Sequence, residues 1–114
     1  MSKVKDSSLA KKGEAELEWA RRNMPVLAIL RKRFEKEKPF AGMTISTALH
    51  LEKKTGILLE TLAAGGAKVF ASSCNPLTTD DTVAAALAAS GKIEAFAWAG
   101  QTNDEYYFCL NSVL

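Results

Sequence analysis

Met43-Thr44-Ile45-Ser46-Thr47-Ala48-Leu49, running directly into His50-Leu51-Glu52-Lys53-Lys54-Thr55, is the stretch whose reading sets the fold. The first seven residues form an uncharged, β-like run, and Thr55 to Ala63 carries the spacing of a helix. A strand leading into a helix opens a βαβ unit. His50, Glu52, Lys54 and Thr55 then fall at the C-terminal end of the strand, where open α/β sheets hold their ligands. His50 is also the only histidine in the chain.

Two further strand–helix units follow outward from this one. Gly65-Gly66 supplies the stop for the first helix near Ala64. Ala67 to Ala71 reads as the second strand, followed by the loop Ser72-Ser73-Cys74-Asn75-Pro76-Leu77. Thr78 or Thr79 is expected to cap an Ala-rich helix that runs to about Ser90, with Asp80 and Asp81 at its positive end. Ile93 to Trp98 is the third strand, and Asn103 to Val113 the last helix. Upstream, Ser7 or Ser8 is the expected cap of a helix to about Arg22, with Leu9, Leu17 and Ala20 on its apolar side. Pro25 suits the first turn of a second helix to Lys36, with Val26, Leu27, Leu30 and Phe34 inward. Residues 1–40 thus read as a helical pair and residues 41–114 as three strand–helix units, all in one domain.

Alternating strands and helices imply an α/β fold with a parallel sheet and right-handed crossovers. The expected arrangement is a three-layer, Rossmann- or flavodoxin-like half unit with three strands in the order 2-1-3. An edge strand would leave backbone groups unpaired, which suggests a homo-oligomer formed edge to edge.

Composition narrows the function classes. The 114 residues are 47% hydrophobic and 25% charged, with a net charge of +2. Residues 1–40 carry 11 Lys/Arg against 6 Asp/Glu, and residues 41–114 carry 4 against 7. The basic residues alternate with Glu14, Glu16, Glu18, Glu35 and Glu37 as on a solvated helix face, so no nucleic-acid partner is expected. Val83 to Ala89 is the longest apolar run and is too short to cross a bilayer. Cys74 and Cys109 have no metal-ligand spacing, so no metal site is expected. With no secretory signal, they point to a reduced, cytoplasmic setting.

Blocks spread along the chain resemble the adenosylhomocysteinase (S-adenosylhomocysteine hydrolase) family, in the first part of its substrate-binding domain. They are Glu18-Trp19-Ala20, Met24-Pro25-Val26-Leu27, Phe34 to Phe40, Ala48-Leu49-His50-Leu51-Glu52, Gly65-Gly66-Ala67 and Ser73-Cys74-Asn75-Pro76-Leu77. Phe96-Ala97-Trp98, Gly100, Thr102-Asn103 and Glu105-Tyr106-Tyr107 complete the series. The resemblance implies a reversible hydrolysis to nucleoside and homocysteine that uses bound NAD to oxidise the ribose 3′-hydroxyl. The family's later carboxylates, catalytic lysine and dinucleotide-binding domain would lie beyond Leu114. This chain is therefore expected to be a truncated substrate-domain segment, inactive alone and binding no NAD, because Gly65-Gly66 has the wrong spacing for a phosphate-cradling turn.

The resemblance makes His50 the catalytic candidate, placed near the ribose for proton transfer. Glu52 and Lys54 match positions that contact the purine, where many members carry Thr then Glu. That reversed polarity suits hypoxanthine: Lys54 would donate to O6 and Glu52 accept from N1–H. The other reading of Glu52 and Lys54 is an ion-pair network with Lys53 in an exposed first helical turn. Thr55 either touches the ligand or caps the helix. Cys74 and Asn75 would face the same crevice, or Cys74 would be a small buried residue. Asp80 departs from the family's usual glutamine, and Ala99 from a common basic residue. Trp19, Trp98, Tyr106, Tyr107 and Phe108 read as core and interface aromatics. A stand-alone homodimeric nucleoside-binding module, an inert α/β fragment and an enzyme completed by a second polypeptide are the other readings open at this point.

Overall fold

The computed structural model covers residues 1–114. Its elements are β1 (Lys3–Val4), a 3₁₀ turn (Ser7–Leu9), α1 (Ala10–Arg22), α2 (Pro25–Glu37), β2 (Thr44–Ala48) and α3 (Lys53–Ala64). β3 (Lys68–Ser72), α4 (Asp81–Ala89), β4 (Ile93–Ala97) and α5 (Asn103–Val113) complete the chain. All strands are parallel, in the order β1-β4-β3-β2.

The sheet therefore differs from the expected one in strand number and in order. β1 is only two residues long and carries no period for a sequence pattern to reveal. The three long strands lie in sequential order, because both crossovers step in the same direction. An order of 2-1-3 would have sent α3 and α4 to opposite faces. Instead they share one face, and α1 packs across both. Two glycines seat α1 there: a Cβ on Gly13 would lie 1.8 Å from the Thr82 carbonyl oxygen, and one on Gly56 2.6 Å from Leu17 Cδ2. The inward register Ile45–Val69–Ile93 feeds a core built with Leu17, Ile57, Leu59, Val83 and Leu87. Burying each such side chain is worth about 1.5–3 kcal/mol. α5 covers the opposite face, where Ser46 Oγ donates to the Val113 carbonyl.

The helix starts are capped by acids where hydroxyl residues were expected. Asp6 rather than Ser7 or Ser8 precedes the first helical segment, with its side chain accepting from Ser8 N. Asp80 rather than Thr78 or Thr79 caps α4, accepting from Thr82 N at 3.2 Å. Both residue types supply the required acceptor oxygen, and backbone register decides which one does so. On α2, Leu27, Leu30 and Phe34 are half-buried, but Val26 turns outward and is 69% exposed. Of the aromatics, Trp98 and Tyr106 are half-buried, whereas Trp19, Tyr107 and Phe108 are exposed. Glu60 joins the helical layer electrostatically. Its carboxylate takes Arg21 through two bonds of 2.8 and 2.9 Å and Arg31 at 3.1 Å. No helix is long and apolar enough to cross a membrane.

Candidate functional site

Because every strand is parallel, the exits of β2, β3 and β4 open at one end of the sheet. The β2 exit is shaped by Leu51, which is fully buried and leaves His50 exposed and Glu52 half-buried on either side. The backbone carbonyl of Leu51 accepts from Asp80 N at 2.9 Å, tying the β2 exit to the start of α4.

Glu52 is the N-cap of α3. Its Oε1 accepts from Thr55 N at 2.8 Å and from the Thr55 hydroxyl at 3.3 Å. Burial pushes the Glu52 carboxyl up, but the Thr55 and Lys54 amides, the Thr55 hydroxyl and the Lys54 charge more than offset this, so its pKa lies below the usual value. Glu52 is thus held as an ionised acceptor with spare lone pairs. Thr55 serves the cap as a donor and is not itself the cap. The alternative ion-pair network of Glu52, Lys53 and Lys54 does not form: Lys53 Nζ sits 4.5 Å over the Trp19 ring, and Lys54 is exposed with no carboxylate within salt-bridge distance.

The β3 exit supplies the second wall. Cys74 is exposed, not a buried small residue, because the loop turns outward after the fully buried Ser72 and Ser73. Asn75 is engaged in its own loop, with its Oδ1 accepting from Leu77 N at 2.8 Å. Thr78, read from sequence only as a helix cap, instead places its hydroxyl 3.3 Å from His50 Nδ1. The sequence signal for this pairing was weak: a hydroxyl in one strand's exit loop and an imidazole in its neighbour's. Asp81 Oδ1 accepts from Ala99 N at 2.9 Å, and Pro76 O from Gln101 N at 2.8 Å, so the β4 exit is fastened to the same loop.

Four buried side-chain oxygens have no protein hydrogen-bond partner: Thr47 Oγ1, Ser72 Oγ, Thr79 Oγ1 and Gln101 Oε1. All four lie in the last residues of β2 and β3 or in the loops after β3 and β4. Buried polar groups require partners, so polar demand is concentrated at this end of the molecule. No three His, Cys, Asp or Glu side chains come together as a metal-ligand group.

A cavity of about 830 Å³ lies at the opposite, amino-terminal end of the strands, lined by Arg21, Arg31, Lys38, Glu60, Lys68 and Lys92 among others. Its two arginines are neutralised by Glu60, Glu14 and Glu35. α2, α3 and α4 all end beside it, and their carbonyl ends favour the remaining cations. It is accounted for structurally, and the reactive side chains lie elsewhere.

Comparison with known proteins places the chain in a family. The family model described as S-adenosyl-L-homocysteine hydrolase matches residues 1–114. An S-inosyl-L-homocysteine hydrolase of Methanococcus maripaludis is 56% identical over 114 residues, and one of Methanocaldococcus jannaschii is 53% identical over 114 residues. An adenosylhomocysteinase of Pyrobaculum aerophilum is 54% identical over 113 residues. The alignments take in 100%, 100% and 99% of this chain but only 27%, 27% and 26% of the respective relatives. The chain therefore spans about a quarter of the length of these curated relatives, and it belongs to the S-adenosyl-L-homocysteine hydrolase family.

Proposed function

We propose that His50, Glu52 and Lys54 form the first-strand wall of a nucleoside site, serving the reversible hydrolysis of S-inosyl- or S-adenosylhomocysteine to nucleoside and homocysteine in the complete protein. The carrying observation is Glu52, held ionised at the mouth of α3 beside an unpaired Lys54. Hypoxanthine offers a donor at N1 and an acceptor at O6, which match that pair. Adenine offers an acceptor at N1 and a donor at its amino group, so an acceptor-only carboxylate and an ammonium would each meet the wrong partner. Such mismatches of buried polar groups discriminate strongly. The two methanogen relatives are named as S-inosyl-L-homocysteine hydrolases, which supports the S-inosyl preference. Overall identity does not separate them from the adenosylhomocysteinase at 54%.

His50 is assigned to the ribose, as a hydrogen-bonding and proton-transfer group suited to neutral pH. The site's location supports this. The long strands are in sequential order and the outer edge of β2 is free, so a strand added there would reverse the winding beside His50, and doubly wound sheets bind ligands where the winding reverses. The residues present do not fit the family's NAD. A pyrophosphate needs a glycine-lined turn at a helix start, whereas the three helix starts that follow β2, β3 and β4 carry Glu52, Asp80, Asp81, Asp104 and Glu105.

The deciding experiment is a parallel NMR titration of the labelled chain with inosine and adenosine. Saturable shifts around His50, Glu52, Lys54 and Thr55, tighter for inosine, are expected. Equal affinities would remove the base preference. A dispersed spectrum that responds to neither nucleoside would leave this chain a structural segment without a half-site.

Assembly follows from the same sheet. Met43 to Leu49 contains no charge or proline to protect the free edge of β2, and Met43 and Leu49 are exposed. In this chain by itself, where no added strand occupies the edge, pairing with a second copy is the assembly that an unguarded strand supports.

A further inference from the structure

We propose that Thr78 is a positioning residue for His50: its hydroxyl donates to Nδ1 and holds the ring in the tautomer with hydrogen on Nε2. The 3.3 Å contact is the only side-chain hydrogen bond of either residue. Thr78 is not free to wander, because its loop is fastened on three sides. Leu77 N donates to Asn75 Oδ1, Asp80 N to Leu51 O, and Gln101 N to Pro76 O. The Asp80 bond lands on the residue next to His50, so hydroxyl and imidazole are held to one frame.

A neutral imidazole has one donor nitrogen and one acceptor nitrogen, and a hydroxyl can donate to Nδ1 or accept from it; the donating arrangement is the one that goes with the Nε2–H tautomer. With Thr78 donating to Nδ1, Nε2–H is presented away from the loop as a donor. On protonation Nδ1 also becomes a donor, and the hydroxyl rotates to accept, so the same contact supports the ring in both charge states. Acting on a ribose oxygen, that ring could exchange a proton without losing its orientation; this functional consequence rests on the nucleoside reading above.

Because His50 is the only histidine, its ring nitrogens give a single unambiguous NMR signature. Above the titration range, the wild-type chain should show Nδ1 at the unprotonated position and Nε2 at the protonated one. Thr78→Val should reduce that tautomer ratio about fivefold, the bias a single neutral hydrogen bond confers, and Thr78→Ser should restore it. An even mixture or an Nδ1–H ring in the wild type would overturn the proposal, as would an unchanged ratio in a folded Thr78→Val chain. The readout needs no ligand. A fixed tautomer in a chain that ignores inosine would uphold the positioning role and remove only the nucleoside reading.

Discussion

Glu52 combines two tasks that make separable demands on one carboxylate. As N-cap it stabilises α3, and Glu52→Gln should cost about 1 kcal/mol at neutral pH, measured by urea unfolding. The folded-state pKa of Glu52 is depressed, so its stabilisation is complete above the ordinary carboxylate value of 4.5 and is lost as pH falls through the lower folded value. The gap between wild type and Glu52→Gln should therefore close in the acid range, and a gap constant with pH would contradict the ionised cap. Lys54 has no capping duty. Lys54→Ala should leave stability within about 0.5 kcal/mol while weakening inosine binding about tenfold by titration, the loss of one charged hydrogen bond. The two cysteines give a further residue-scale check. Cys74 is exposed, and Cys109 is buried beside Gln101 with its thiol pKa pushed up by burial. A thiol reagent should modify one group quickly in the folded chain and the second only on unfolding.

At the scale of elements, the close seating of α1 on α4 is the least forgiving contact. Gly13→Ala drives a methyl group into the Thr82 carbonyl, and the helices must part. A loss of about 2–3 kcal/mol in denaturant unfolding is expected, in the range of overpacked cores. The long strands and the helices were legible in the sequence because their periods run for several residues, and α5 agrees at both ends with its sequence reading. β1 was not legible, since two residues have no period. Strand order was not legible either, because hydrophobic patterning reports which faces are buried and not which way a crossover steps. The helix caps were placed a residue or more away from their true positions, since Asp, Glu, Ser and Thr all carry the necessary oxygen. At the candidate site, the strand-to-helix transition around His50 and Glu52 was readable, whereas the Thr78–His50 contact required the loop's path.

For the molecule as a whole, one sheet edge is closed by a two-residue strand and the other is open. If the β2 edge pairs with a second copy, sedimentation equilibrium should show concentration-dependent dimers, and Thr44→Lys, at an exposed edge position, should shift them to monomer. A monomer at all concentrations would leave that edge without a self-partner. The closed edge has a different consequence. β1 pairs only with β4, Ser2 Oγ accepts from Ala95 N, and the amino-terminal ammonium meets Glu94, 93 residues away. A ribosome adding about 5–20 residues per second needs roughly 5–20 s to make that partner. β1 thus takes its place in the sheet only after β4 has been made, and Lys3 and Val4 must stay unentangled until then.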